Sequence, residues 1–382
     1  MTKSCLTASK QSEAGLADIV ACDSEICLID GIDGRLLYRG YDALELAGNS
    51  TFEETAYLLW YGCLPRPTEF KAFLSGFIGS MALPVETVMI LRMFPKVATP
   101  MEVIRTAVSS LGHWDPDSGN TGLDACLRKA QRLTFRIPLL IAAHQRLRQG
   151  LEPIKPEPGR GIAYNFLYTL QGKAPDPILE RAFDVALILH ADHELNASTF
   201  AARVTAATMS DIYSSVTSAI GALKGPLHGG ANMEVMQLIE EIGTPDKAER
   251  IILGKLANKM KIPGFGHRVY RCEDPRVRML RDYADQVTSY TGNTVQFEIT
   301  REIERVVRRE TMVFPNVDLY TASLYNAMGL PQELFTPIFA ISRTVGWTSH
   351  ILEQWANNRL IRPRAEYTGH NNLNYILMEE RS

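Results

Sequence analysis

Pro263-Gly264-Phe265-Gly266-His267-Arg268-Val269-Tyr270-Arg271-Cys272-Glu273-Asp274-Pro275-Arg276 is the stretch from which the rest of the chain is best read. Two glycines flank a phenylalanine, so the backbone can turn sharply and approach a ligand where a Cβ would intrude. A histidine follows on a segment that turn chemistry marks as loop rather than helix. Arg271 and Arg276 come four and nine residues after it, the second just past an Asp-Pro that reads as a helix start. A histidine between a glycine turn and two guanidiniums is equipped to hold an anion and act on it. A structural loop with surface arginines would have the same composition, so the reading depends on what surrounds it.

The surroundings exclude several classes. At 382 residues the chain is long enough for two domains and a sizeable core. Its formal charge is −3, with 46% apolar and 22% charged residues. No basic tail or arginine-rich run invites nucleic acid, and no apolar run reaches the roughly 18 residues of a membrane helix. Met1 to Ala14 has neither a signal-peptide apolar region nor an arginine-rich transit pattern. The six cysteines (Cys5, Cys22, Cys27, Cys63, Cys126, Cys272) are scattered with no C-x-x-C. That spacing argues for a reducing, cytoplasmic setting and against a disulfide scaffold or zinc site.

Only residues 16–43 read as strands: Ile19, Ile26 and Leu28 among polar residues, turns at Asp30-Gly31-Ile32-Asp33-Gly34, then extension through Leu36-Leu37-Tyr38-Arg39-Gly40. Beyond them the chain is helical. Ser50-Thr51-Phe52-Glu53 reads as a capping box. Thr99-Pro100 and Asp176-Pro177 put caps before prolines. Apolar residues recur at helical spacing between about 120 and 150. Further helices are predicted over 181–192, 199–208, 211–223, 230–242, 246–260, 275–290, 296–309 and 332–357. With no β-α-β alternation and no repeat, the fold is mainly α with a small N-terminal β element.

The run glycine-aromatic-glycine-histidine-arginine, closing on Asp274-Pro275-Arg276, resembles the signature of the citrate synthase family, and the resemblance extends over nearly the whole chain. It includes the early Ile-Asp-Gly and Leu-x-Tyr-Arg-Gly-Tyr segment. It implies a two-domain helical fold in which 222–327 form a small domain inserted into a larger one made of 1–221 and 328–382. No linker in the composition marks such a boundary.

Three more clusters carry side chains able to do chemistry. In His190-Ala191-Asp192-His193-Glu194 the spacing of three sets both histidines on one helix face. A metal pair is one reading and a packed helix end another, although no third ligand with convincing spacing follows. By resemblance, the run from His193 through Asn196 to Phe200 touches the oxo-acid substrate, making His193 the contact with Asn196 beside it. Gly225-Pro226-Leu227-His228-Gly229-Gly230-Ala231-Asn232 places a histidine ahead of a helix, whose positive end opposes protonation; His228 is expected to be neutral near pH 7. A glycine-rich interdomain turn would look the same. In the family the matching histidine polarises the thioester carbonyl, and His267 matches the other catalytic histidine. Asp318, in Phe314-Pro315-Asn316-Val317-Asp318, reads alone as a cap or solvated charge; by resemblance it is the catalytic base. Arg343 and Arg362 would be surface residues in isolation. They match the family's carboxylate-binding arginines, with Arg276 as a third and Arg362 reaching the site of a partner subunit.

The resemblance thus implies an enzyme condensing acetyl-CoA with oxaloacetate to citrate and free CoA, as a homodimer, without metal or other cofactor. Arg271 matches a position that meets a CoA phosphate, and the backbone from Ile262 through Gly264 to Gly266 would face the adenine. One departure stands: many relatives carry a lysine seven residues before the base, where this chain has Thr311, with Arg308 or Arg309 as substitutes. 2-Methylcitrate synthase runs the same chemistry on propionyl-CoA. One methylene is worth only about 1–3 kcal/mol in an apolar pocket, so both acyl groups remain open. A non-catalytic helical binding protein would be expected to have lost His228, His267 or Asp318, and all three are present. A lyase running backwards would need a phosphate loop, and no G-x-x-x-x-G-K-[ST] occurs.

Overall fold

The computed structural model describes residues 15, 19–78 and 82–381. The reading of Met1 to Ala14, Cys5 included, lies outside the described residues, as do 16–18 of the strand region.

Three strands come first, β1 (Cys27–Asp30), β2 (Arg35–Tyr38) and β3 (Tyr41–Asp42), joined as one antiparallel sheet in that order. Cys27 lies opposite Tyr38 and Asp30 opposite Arg35. The Asp30 carboxylate accepts from the amides of Ile32 and Asp33, closing the hairpin turn. Extension was expected through Gly40, but β2 ends at Tyr38 because Arg39 and Gly40 both have positive φ.

The described helices are α1 (Ala43–Asn49), α2 (Phe52–Tyr61), α3 (Pro67–Ile78), α4 (Val85–Met93), α5 (Pro100–Leu111), α6 (Leu123–Arg148), α7 (Ile162–Gln171) and α8 (Pro177–His190). They continue with α9 (Ala197–Ala207), α10 (Ile212–Leu223), α11 (Ala231–Ile242), α12 (Pro245–Ala257), α13 (Arg276–Thr291), α14 (Val295–Thr311), α15 (Val317–Ala327) and α16 (Phe335–Ala356). The fold is mainly α, as the sequence reading holds. None of these helices is long and apolar enough to cross a membrane.

Several boundaries differ from expectation for identifiable reasons. The N-cap of α2 is Thr51, not Ser50, and its hydroxyl accepts from the Glu54 amide. Glu53 instead turns inward, where its carboxylate accepts from the Ile162 amide at the start of α7. Asp184 of α8 likewise accepts from the Phe52 amide. These two helix starts are completed by carboxylates from distant helices, which satisfy donors that local caps leave open. The predicted caps at Thr99 and Asp176 form. The first turn expected of α16 is a separate 3-10 turn, Gln332–Leu334.

Helix α16 is buried from Phe335 almost continuously to Leu352, polar side chains such as Arg343 and His350 included. Around it pack α2, α5, α6, α8, α9 and α10, while α11 to α15 pack chiefly on one another. The hydroxyl of Tyr38 lies 3.2 Å from the Ile188 carbonyl and 3.1 Å from that of Asp192, tying the small sheet to the end of α8. There α16 comes close: the Gly346 amide donates to the Ala191 carbonyl at 3.1 Å. A Cβ at Gly346 would stand 2.3 Å from Asp192 Oδ1 and 2.5 Å from the Ala191 oxygen. Gly346→Ala is therefore expected to destabilise the protein by about 1–3 kcal/mol, lowering the melting midpoint. An unchanged midpoint would contradict this account of the α8–α16 junction.

Candidate active site

The loop that opened the sequence reading is laced to the segment leading into α15. Gly264 and Gly266 have φ of +82° and +78°, which a side chain would strain. The Gly266 amide donates to the Phe314 carbonyl, and the Asn316 amide to that of Gly264, both at 2.9 Å. Asn316 Nδ2 adds a 3.0 Å bond to the Gly266 carbonyl. His267 and Asp318, 51 positions apart in the chain, are set by this one junction.

His267 Nδ1 accepts from the amides of Val269 and Tyr270, each at 3.0 Å. An amide can only donate, so in the neutral ring the proton sits on Nε2. Burial, then the charge of Arg276, pushes the imidazole down to about 4. Its ring lies 5.1 Å from that of His193 and 4.6 Å from that of Tyr270.

His228 is held the opposite way. Its Nε2 accepts from the Ser198 amide at 3.3 Å and lies 2.8 Å from Ser198 Oγ, leaving the proton on Nδ1. It is pushed down to about 4 by burial and then by Arg343. The neutral state agrees with the sequence reading. His228 precedes the cap of α11, Gly230, and desolvation with a guanidinium supplies the shift.

Helix α8 ends at His190, and Glu194 has φ of 54°, so His190 and His193 do not share a helix face. The geometry behind the metal reading is absent. His190 Nδ1 lies 2.7 Å from the Ala186 carbonyl, and burial followed by Arg276 pushes it to about 3. His193 is also buried and held well below its ordinary value, by desolvation and then Arg276 and Arg343. Asn196 caps α9: its Oδ1 accepts from the Thr199 amide and lies 2.7 Å from Ser198 Oγ, whose one proton is shared between Oδ1 and His228 Nε2, and its Nδ2 faces the His193 carbonyl. Its amide is thus engaged in fixing Ser198, and through it His228.

Asp318 sits in the first turn of α15, capped by Asn316. No donor among the described residues reaches its carboxylate. Burial raises it to about 6, against the opposing pull of Arg276 and Arg343. Arg276, 2% exposed, makes a bidentate pair with Asp274 at 2.9 and 2.7 Å. Arg343 is 1% exposed and different: Nε donates to the His190 carbonyl at 2.8 Å, and the guanidinium lies 4.6 Å from the Phe339 ring centroid. It forms no ion pair among the described residues.

Arg362 is brought to none of this. It stands exposed on the segment after α16. Arg271 is exposed on a groove of about 210 Å³ lined also by Gly266, His267, Met312 and Phe314. The Ile262 side chain is buried in the core, so only its backbone can face that groove. Thr311 Oγ1 donates to the Val307 carbonyl, closing α14. Arg309 pairs with Glu249 and Glu310, and Arg308 pairs with Glu304 and Glu273 while lying over the ring of Phe314, which lines the groove. A larger hollow of about 740 Å³ contains, of the residues singled out from the sequence, Arg308 alone, and is lined by four arginines and four carboxylates.

Sequence reasoning missed Ser198, Phe339, Tyr270 and Asp274. Phe339 could have been found from its place four residues before Arg343 on one helix. Its ring meets His190, His228 and Arg343. Ser198 and Tyr270 carry no such signal.

Comparisons with known proteins point to one family. The family model described as "Citrate synthase, C-terminal domain" matches residues 15–364. Citrate synthase 2 of Bacillus subtilis (strain 168) is 49% identical over 369 residues, covering 96% of this chain and 99% of that protein. A 2-methylcitrate synthase of Shewanella oneidensis is 40% identical, covering 95% and 96%. Among solved structures, the ternary complex of carboxymethyl coenzyme A and oxaloacetate with citrate synthase from Thermoplasma acidophilum superposes with a TM-score of 0.91. It is 30% identical and covers 96% of this chain and 98% of that one.

Two neutral imidazoles of opposite tautomer are the testable core of the site. In an NMR titration, neither His228 nor His267 is expected to protonate above about pH 5, and midpoints near 6.5 would contradict the burial argument. Because their folded values lie below about 6.5, the unfolded chain binds more protons between roughly pH 4 and 6.5. Their contribution to stability therefore rises with pH across that window.

Proposed function

The chain belongs to the citrate synthase family, and on that premise we propose that this cleft condenses acetyl-CoA with oxaloacetate, releasing citrate and free CoA. The observation that carries the assignment of residues is the pair of neutral histidines of opposite tautomer, one of them on a loop laced to the start of the helix that carries the raised Asp318 carboxyl. Asp318, as carboxylate, takes a proton from the carbon next to the thioester carbonyl. At about 6 it is a stronger base than a solvated aspartate, and it is still ionised at pH 7. The Nδ1–H of His228 donates to the thioester oxygen as negative charge develops there. One such donor is typically worth about 10²–10³ in rate. The enolate carbon then attacks the keto carbon of oxaloacetate, and the bond made is carbon–carbon. His267 Nε2–H meets the alkoxide that forms. Water cleaves the citryl thioester, giving the carboxyl group of citrate and the thiol of CoA. No step calls on a metal or redox cofactor.

Arg343, Arg276 and His193 bind the dicarboxylate, Arg343 as the cation without a counter-ion. Asn196 acts by position. CoA lies along the groove bordered by Arg271, with the backbone of Ile262, Gly264 and Gly266, and Arg308 takes the place that Thr311 leaves without charge. The bodies on either side of the cleft are 1–221 with 328–382, and 222–327. The packing of α11 to α15 on one another supports that division. A homodimer is supported by apolar side chains left open along the C-terminal segment, among them Leu360, Leu373, Tyr375 and Met378. A partner subunit covering that segment would receive Arg362 at its own site. The cysteines Cys22, Cys27, Cys63, Cys126 and Cys272 are all unpaired, which supports a reducing cytoplasm.

Purified protein with oxaloacetate should release free CoA faster from acetyl-CoA than from propionyl-CoA, in ratio of kcat/KM. A ratio near one or below makes 2-methylcitrate the product, and no release with either overturns the assignment. Asp318→Ala should abolish proton exchange at the acyl carbon with oxaloacetate binding nearly intact. In the unsubstituted enzyme that exchange should be half-maximal at about pH 6, and retained exchange in the variant would remove Asp318 as base. Arg362→Ala, on an exposed position, should leave the fold unchanged and weaken oxaloacetate binding about tenfold or more; equal affinity would take Arg362 out of the site.

A further inference from the structure

Tyr270 lies in the quoted loop but has no part in the reaction as derived so far. It is 4% exposed, and its hydroxyl is buried with no hydrogen-bond partner among the described residues. Buried hydroxyls are nearly always partnered in folded proteins, so an orphan beside a reaction cleft asks what completes it. The position is specific. The Tyr270 ring lies 4.6 Å from that of His267 and 5.7 Å from that of His193. His193 carries a second orphan, Nε2, buried and equally unpartnered. The charges acting on the phenol most are those of Arg276 and then Asp274. The Tyr270 amide is already committed to His267 Nδ1, so the residue is held at both its backbone and its ring.

Asp274 is engaged with Arg276 and the Val317 amide, and the two neighbouring histidines are neutral. An anionic oxygen drawn to Arg276 is what this phenol is placed to meet, and a phenol that keeps its proton is a donor. Burial keeps it so, holding its ionisation far above neutral pH. We propose that Tyr270 is a substrate-binding residue whose hydroxyl donates a hydrogen bond to the oxo-acid oxygen nearest Arg276, beside His193 and His267. This rests on the reading of the cleft as the oxo-acid site. A water molecule in the unliganded cleft would hold the same place, to be displaced by substrate.

Tyr270→Phe removes the hydroxyl and nothing else. Two quantities decide the matter: the melting midpoint without ligand, and the dissociation constant of oxaloacetate by calorimetry in the absence of acyl-CoA. The midpoint should stay the same or rise, since this hydroxyl has no partner to lose among the described residues. The dissociation constant should rise about tenfold or more, as expected for a hydrogen bond to a charged group. An unchanged dissociation constant overturns the proposal. A lowered midpoint also overturns it, whatever the affinity does, because the hydroxyl would then be structural. If the unsubstituted enzyme itself fails to bind oxaloacetate, the functional reading falls, and this proposal with it. If it binds and the variant binds equally, only Tyr270 is removed.

Discussion

A guanidinium buried with no counter-ion among the described residues is the constraint on which the site depends. Arg343 sits in the middle of α16, 1% exposed, with the His190 carbonyl on Nε and the Phe339 ring against its face. Desolvating a lone charge costs several kcal/mol even after relaxation. A cation–π contact of this kind returns about 0.5–2 kcal/mol, and Asp192 adds attraction from beyond ion-pair distance. The balance is left for a ligand. Burial first, and the charge of Arg276 or Arg343 second, keeps His190, His193, His228 and His267 neutral. The same desolvation that leaves the guanidinium short of partners thus holds the imidazoles of the site neutral.

The arginines divide the work. Arg276 is neutralised by Asp274 on one edge, and the same carboxylate accepts from the Val317 amide at the start of α15. The ion pair therefore fixes the helix that carries Asp318 as well as the guanidinium. Asp318 is pulled two ways, upward by desolvation and downward by both arginines, and burial prevails. Meanwhile His228 and His267 are each oriented by backbone amides, which cannot reverse role as a hydroxyl can. Donors fixed before substrate arrives need no reorganisation during reaction.

Much of this was legible in the residues. Glycines bracketing Phe265, the Asp274-Pro275 helix start and the caps at Thr99 and Asp176 are local signals, and each corresponds to a local structure. The His190–His193 face was misread because a spacing of three has meaning only inside a helix, and α8 stops at His190. The dipole argument for His228 reached the right protonation state without the burial and the Arg343 charge that act on it, since burial by distant elements cannot be seen in a window of sequence. The same holds for α7, whose first amide is satisfied by Glu53 from more than a hundred residues away. Ser198 and Tyr270 were illegible for a related reason. One acts by holding His228 and the other is marked only by an unpartnered hydroxyl, and neither property has a sequence pattern.

The most direct test of the central claim is a crystal structure of the protein with oxaloacetate bound. The account predicts one carboxylate of the ligand within about 2.7–3.0 Å of the Arg343 guanidinium, with His228 Nδ1 and His267 Nε2 turned into the same cleft. An oxaloacetate found elsewhere, with Arg343 still lacking an anion, would contradict it.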